Sequence, residues 1–368
     1  MKLSRTSLGT VLTLALAAAC GAPASADDTT HTALQNRTIG YALTGTHWAV
    51  YQTKDGKEEC PQGVNDMGPR EIFNKMFPDL GPVEKTQLAR ESATWYPMDS
   101  EEKFPFHTGQ SKKGIGLNLD GKVGPNDLTS PDGTPGIDNQ LGRALSCVRF
   151  FRGPDGIGFH FTDVYVRQND YNRAIIELTN VDSLTNDDDV DVAIYRGMDA
   201  LMMDATGAKV VPGGLERVDV KFGKKFESHL KGKIVNGVLT TTPKDVTWPF
   251  AWFGGVPGEQ KFKDFRFSMK LTEEGANGLA AGYTDVDNWY YSLAKGRSTH
   301  HQSYGTMSAP GLYQAMHRLA DGYPDKNGQM TAISWALQLP MTQVFIEHPQ
   351  NTKKAPGVVA LSGPEAAH

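Results

Sequence analysis

The sequence has no long apolar run after its first 20 residues, so no bilayer-spanning helix is expected in the rest of the chain. Such a helix needs about 20 consecutive apolar residues. The sequence also lacks G-x-S-x-G, H-E-x-x-H, C-x-x-C and C-x-x-C-H, which are signatures of hydrolases, zinc proteases, redox proteins and c-type haem proteins. No motif therefore indicates a particular reaction.

Positive charge is also scarce. The chain has 37 lysines and arginines against 42 aspartates and glutamates, for a formal net charge of −5. Two of the basic residues, Lys2 and Arg5, lie in a segment that we expect to be removed. A protein that binds DNA or RNA needs a basic surface to offset the phosphates, so nucleic acid is not expected as a partner.

Residues 1–26 have the organisation of a secretory signal peptide. Two basic residues precede an apolar run over 8–19, and a small-residue cleavage site ends at Ala26. We expect cleavage there and a periplasmic or extracellular mature protein, without a transmembrane span. The alternative is a lipoprotein, because residues 16–21 resemble a lipobox in which Cys20 would carry a lipid anchor to the cell envelope.

Cysteine is rare, with three in the whole chain. Cleavage after Ala26 removes Cys20, and the lipoprotein cut leaves it lipidated. In both cases Cys60 and Cys147 remain as an even pair. An oxidising compartment favours a disulfide between them. Closing so long a loop would stabilise the fold by roughly 3–5 kcal/mol. The alternative is two separate buried thiols.

Hydrophobic residues make up only 39% of the chain, and its 39 glycines and 21 prolines predict many turns and short elements. We expect a mixed α/β opening segment over 27–112, with helices near 70–77 and 83–93. A β domain over 113–305 follows. It begins with an Asp/Gly-rich loop over 114–138.

The β domain is predicted from runs of β-branched and aromatic residues. The predicted strands are residues 159–166, 174–178, 191–195, 233–240 and 264–271. The dipeptide Asn236-Gly237 lies between β-forming residues, which is typical of a two-residue hairpin turn. Several short strands at this spacing predict an antiparallel β-sandwich or an open barrel.

The pattern changes towards the C-terminus. Residues 310–319 and 329–337 are predicted as short helices, with prolines that would end them. This helical segment covers 306–349, and residues 350–368 are predicted to be a flexible tail. The expected fold class is therefore mainly β, with a mixed N-terminal segment and short C-terminal helices.

Four aspartates of the Asp/Gly-rich loop are the predicted ligands of a structural Ca²⁺ ion. They are Asp120, Asp127, Asp132 and Asp138. Carboxylate oxygens are the ligands that Ca²⁺ prefers, but the spacing is not that of an EF-hand, since the twelfth position counted from Asn118 is Thr129. The alternative is a cluster of turns in which Asp and Asn side chains bind nearby backbone amides.

Three aromatic residues in the run over 248–253 are the predicted ligand-binding surface. If Trp248, Phe250 and Trp252 lie at a sheet edge, their flat rings suit a sugar or a lipid. Core packing is the alternative interpretation of the same residues.

Two stretches, residues 132–141 leading to Cys147 and residues 319–325 leading to 329–334, resemble a loose group of exported bacterial proteins that carries no assigned activity. The resemblance implies a bacterial origin. It directs attention to the two stretches without supplying a catalytic residue.

These observations predict an exported, non-enzymatic β protein that binds a ligand or partner. The partner classes expected are a carbohydrate, a lipid or a protein of the cell envelope. The alternative is a hydrolase of envelope or extracellular polysaccharide, which would use an acid pair near Trp248 and Trp252.

Overall fold

A computed structural model describes residues 35–65, 79, 106–152, 166–167, 173–252, 256–295 and 309–349. The described chain is mainly β, as predicted. Its strands are β1 Arg37–Leu43, β2 His47–Trp48, β3 Leu128–Thr129, β4 Pro135–Ile137, β5 Arg173–Val181, β6 Asp187–Gly197, β7 Gly214–Arg217, β8 Ser228–Val235, β9 Val238–Thr241, β10 Lys244–Trp252, β11 Val256–Leu271, β12 Gly275–Asp285, β13 Gly322–Pro324 and β14 Met330–Glu347. Its α-helices are α1 Gln140–Leu145, α2 Val286–Lys295 and α3 Ala309–Leu319.

Eight of these strands close into an antiparallel barrel. Their order around the barrel is β1, β5, β6, β8, β9, β11, β12 and β14. The barrel closes because β14 pairs back onto β1, with Gly40 opposite Val344 and Leu43 opposite Met341. The predicted sandwich or open barrel is therefore not confirmed. The two strands that close the barrel lie outside the predicted β domain. β1 lies in the predicted opening segment and β14 lies in the predicted helical segment.

Alternation along the strands places one face of each in the barrel core. On β14 the buried core residues recur with period two: Ile333, Trp335, Leu337, Leu339 and Met341. Aromatic rings fill much of the interior. Trp335 stacks on Phe262 with ring centroids 4.7 Å apart, and Trp248 stacks on Phe265 at 5.5 Å. A barrel of eight strands is just wide enough to be filled by side chains or to hold one small ligand.

The predicted Asn236-Gly237 hairpin is confirmed. β8 ends at Val235 and β9 begins at Val238, and these two residues are paired. Asn236 has a φ of +51° and Gly237 a φ of +77°. Positive φ at both central residues is what a type I′ turn requires.

The C-terminal segment contains one of its two predicted helices. α3 matches the prediction for residues 310–319. The helix predicted over 329–337 is wrong, because residues 330–337 begin the 18-residue strand β14. A short continuous apolar run fits a buried strand as well as a buried helix. Pairing with the whole of β12, over residues 332–342 of β14, decides the outcome.

Two segments cover parts of the outer barrel face. The Asp/Gly-rich loop places Leu119 against the outer side of β12 and β14. Residues 199–218 bring Leu201 and Val218 against the outer side of β1 and β5. Among the described residues, His229 on the outer side of β8 remains exposed beside these segments.

The predicted disulfide between Cys60 and Cys147 is present, with Cα atoms 5.6 Å apart. Both cysteines are buried. Cys147 lies two residues after α1, so the bond ties the N-terminal segment to the helix that follows the Asp/Gly-rich loop.

Several predictions fall outside the described residues: the signal peptide and Cys20, the helices at 70–77 and 83–93, the strand at 159–166 except its last residue, and the tail over 350–368. No helix of the described ranges is long and apolar enough to cross a membrane.

Candidate functional site

The four predicted calcium ligands use their carboxylates within the fold. Asp120, Asp127 and Asp132 each accept a hydrogen bond from a backbone amide of their own turn. Asp138 is buried, and its Oδ2 accepts from the Leu119 amide at 2.6 Å. Within the described ranges, no group of three or more His, Cys, Asp or Glu side chains is placed to hold a metal ion. The geometry matches the alternative interpretation of this loop as a cluster of turns.

The predicted aromatic surface lies largely in the barrel core. Trp248 is 0% exposed and Phe250 is 5% exposed. The Phe250 ring packs against Trp335 with centroids 6.0 Å apart. Core packing therefore accounts for both residues, and they do not form a surface at a sheet edge. The side chain of Trp252 lies outside the described residues, so its role stays a prediction.

The two stretches that carry the resemblance meet at Ser334. Asp321 accepts hydrogen bonds from the Ser334 amide at 2.7 Å and from its hydroxyl at 2.6 Å. The same hydroxyl accepts from the Gln140 amide at 2.9 Å. Burial raises the pKa of Asp321 to about 6 against these hydrogen bonds, and the Asp138 carboxylate adds to the rise. These contacts hold α1 against β14.

Another group of titratable side chains converges on the outer barrel face. β5, β6 and β8 lie side by side there, with Glu177 opposite Ala193 and Ala193 opposite His229. Tyr195 is two residues further along β6 and so shares the same face. The small side chain of Ala193 leaves room between Glu177 and His229.

His348 follows the last residue of β14 and lies over this face. Its Nε2 is 2.9 Å from Oε2 of the buried Glu177. Its ring meets Tyr195 edge-on with centroids 5.1 Å apart. On the other side of Tyr195, His229 Nε2 is 2.8 Å from Glu227 Oε1. Tyr195 therefore lies between two imidazole–carboxylate pairs.

Tyr195, Glu227 and His348 line a cleft of about 170 Å³. We call it the outer-face cleft. Its remaining lining is Arg196, Val218, Asp219, Val220, Gly223, Phe226 and Pro349. Pockets for drug-sized ligands have volumes of roughly 300–1,000 Å³. The outer-face cleft is therefore suited to a small molecule or to one end of a larger one.

Charges in the cleft are compensated nearby. Arg196 is bound to Asp219 at 2.7 Å. The hydrogen bond from His229 holds the pKa of Glu227 below its usual range. Burial raises the pKa of Tyr195 to about 12, and two carboxylates add to the rise. The phenol is therefore neutral at physiological pH, and the charged groups of the cleft lining are the Arg196–Asp219 pair and the Glu227 carboxylate.

The sequence gives no spacing signal for this site. Glu177, Tyr195, His229 and His348 come from four separate strands or strand ends. Alternation indicates which residues of a strand face outward, but the strand register is needed to show that they are neighbours. Comparisons of the chain with family models, curated proteins and solved structures find no match. The interpretation of the cleft therefore depends on its geometry.

Proposed function

We propose that this chain is an exported, non-enzymatic binding protein that takes a small neutral polyhydroxyl ligand, such as one sugar unit, in the outer-face cleft. The observation that carries the proposal is the convergence of two imidazole–carboxylate pairs on Tyr195. Carboxylates, imidazoles and a neutral phenol can together donate to and accept from hydroxyl groups. The rings of Tyr195 and Phe226 suit the apolar face of a sugar.

Other ligand classes fit the lining less well. A phosphate or another anion would need an uncompensated cation, whereas Arg196 is already bound to Asp219. A lipid tail would need an apolar channel, whereas Tyr195, Glu227 and His348 are polar. A neutral sugar needs directional hydrogen bonds and no free cation, and this lining offers carboxylate, imidazole and phenol groups for them.

Export is part of the proposal. Residues 1–26 have the pattern of a signal peptide. A disulfide between Cys60 and Cys147 is typical of a periplasmic or extracellular protein. Lipid anchoring through Cys20 is the alternative end state, and the mass of the mature protein distinguishes the two.

A polysaccharide hydrolase is the alternative function. Glycoside hydrolysis uses a carboxylic acid whose pKa is raised, so that it can protonate the leaving group. The pKa of Glu227 is lowered instead, which makes it a poor proton donor at neutral pH. Asp138 and Asp321 do have raised pKa values, but both carboxylates accept hydrogen bonds from groups of the fold.

Calorimetric titration of the mature protein with a panel of monosaccharides tests the proposal. We expect saturable binding with a dissociation constant in the ~µM to mM range, and at least a tenfold loss in His348→Ala. His317→Ala is the matched control, because His317 also pairs with a carboxylate, that of Asp287, but lies on α3. Unchanged binding by His348→Ala, or release of reducing ends from polysaccharide, would contradict the proposal.

A further inference from the structure

The barrel interior contains polar atoms that have no hydrogen-bond partner. Gln260 on β11 is fully buried, and neither its amide oxygen nor its amide nitrogen is bonded. Its register partner on β10 is Trp248, whose indole N–H is also buried and unbonded. More than nine in ten buried polar groups of native proteins have a partner, so this cluster needs an explanation.

Two further unbonded groups lie close to the same place. They are the Thr284 hydroxyl on β12 and the Trp335 indole N–H on β14, both buried. Trp335 is opposite Gly282, and Thr284 is two residues along β12 on the same face. Phe262 links these groups: Trp335 stacks on its ring, and Gln260 is two residues away on the same face of β11.

We infer that the barrel interior holds a buried polar site, centred on Gln260, that binds a compact guest able to accept and donate hydrogen bonds. An indole N–H can only donate, whereas the glutamine amide both donates and accepts. The guest must therefore offer acceptors to the indoles and a donor to Gln260 Oε1. Water has this chemistry, and so does a small polar molecule enclosed by the barrel.

The fold is compatible with such a guest. Eight-stranded barrels can hold one small ligand among the side chains that fill them. Buried water typically makes about three hydrogen bonds to groups that would otherwise be unpaired. Three polar side chains lie on three adjacent strands here: Trp248 on β10, Gln260 on β11 and Thr284 on β12. The outer-face cleft lies on the opposite face of the barrel wall from this site.

Gln260→Met tests the site, because methionine keeps the length of the side chain and removes its polar atoms. With a guest bound, we expect the midpoint of thermal unfolding to fall by roughly 2–4 °C. In a dry interior, the same change removes two unpaired polar atoms and raises the midpoint instead. Thr284→Val should lower the midpoint of thermal unfolding in the same way. Gln338→Met is the control, since Gln338 is a half-buried glutamine on β14, and it should leave the midpoint nearly unchanged.

Two measurements on the wild-type protein identify the guest. A high-resolution crystal structure should show density within hydrogen-bond distance of the Gln260 amide. If native mass spectrometry gives the mass of the disulfide-bonded chain alone, the guest is water. If it gives an additional mass that is lost on denaturation, the guest is a small molecule. Raised midpoints in both Gln260→Met and Thr284→Val, with no density beside Gln260, would overturn the inference.

Discussion

The pKa values of individual aspartates in this protein are shifted in opposite directions by their surroundings. Asp132 is exposed, and a hydrogen bond from the Ser130 hydroxyl keeps its pKa low. Asp321 is largely buried, and its pKa rises to about 6 although Ser334 donates two hydrogen bonds to it. Both residues precede a glycine in the sequence, so local pattern does not separate them. Burial separates them, and burial depends on the whole fold.

Asp321 should make stability depend on pH. Its pKa is 3.8 in the ordinary state and about 6 in the fold, so the folded protein binds the proton more strongly than the unfolded chain does. The stabilisation is fully present below pH 3.8 and is lost as the pH rises through about 6. The whole effect is roughly 3 kcal/mol.

Urea unfolding of wild type and Asp321→Asn between pH 4 and pH 7 measures this contribution. Asparagine does not ionise, so we expect the variant to gain stability relative to wild type as the pH rises. Asp132→Asn, at an exposed position, is the control and should show no such gain. Parallel curves for wild type and Asp321→Asn would show that the burial of this carboxyl has no energetic consequence.

The loop aspartates lead to a prediction about metal. Asp120, Asp127, Asp132 and Asp138 already accept backbone hydrogen bonds. A Ca²⁺ ion needs six or more oxygen ligands around one point, and in the described ranges no group of three or more His, Cys, Asp or Glu side chains is placed to supply them. We therefore expect neither EDTA nor added Ca²⁺ to change the midpoint of thermal unfolding. A midpoint that rises with Ca²⁺ concentration would instead indicate that the loop rearranges around the ion.

At the scale of elements, local chemistry predicts those whose ends are marked in the sequence. The β8–β9 hairpin is marked by Asn236-Gly237. The end of α3 is marked by the proline that follows it. β14 carries no comparable mark, and its apolar run fits a helix or a strand equally well. It is a strand because β12 and β1 pair with it, and those contacts join residues far apart in the sequence.

The hairpin turn provides a test at this scale. Gly237→Ala places a side chain at a φ of +77°, which costs roughly 1–2 kcal/mol in a left-handed conformation. The new methyl group would also meet the Lys270 Nζ atom at 2.6 Å, although that flexible end can move. We expect a matching loss of stability in urea unfolding. Asn236→Gly introduces a residue that tolerates positive φ, so it should reduce stability much less. Equal losses in the two variants would contradict the turn argument.

For the whole molecule, composition and strand spacing were sufficient to predict a mainly β fold, and the cysteine count was sufficient to predict the disulfide. Barrel closure was not predictable, because it depends on pairing between Gly40 and Val344 near opposite ends of the chain. The cleft residues were not predictable for the same reason. Tyr195 of the cleft and its neighbours Glu177 and His229 come onto one face only through the register of β5, β6 and β8.

The disulfide should be a large contributor to global stability. Cys60 and Cys147 are 87 residues apart in sequence, and closing a loop of that length lowers the entropy of the unfolded chain by the equivalent of roughly 4.5 kcal/mol. We expect the double variant Cys60→Ser/Cys147→Ser to unfold at a lower temperature and lower urea concentration than wild type. Dithiothreitol should lower the stability of wild type to about that of the double variant, and it should leave the stability of the variant unchanged. The strands of the outer-face cleft pair without this bond, so the folded variant should still bind the same sugar. A variant as stable as oxidised wild type would mean that the unfolded chain gains little freedom when the bond is removed.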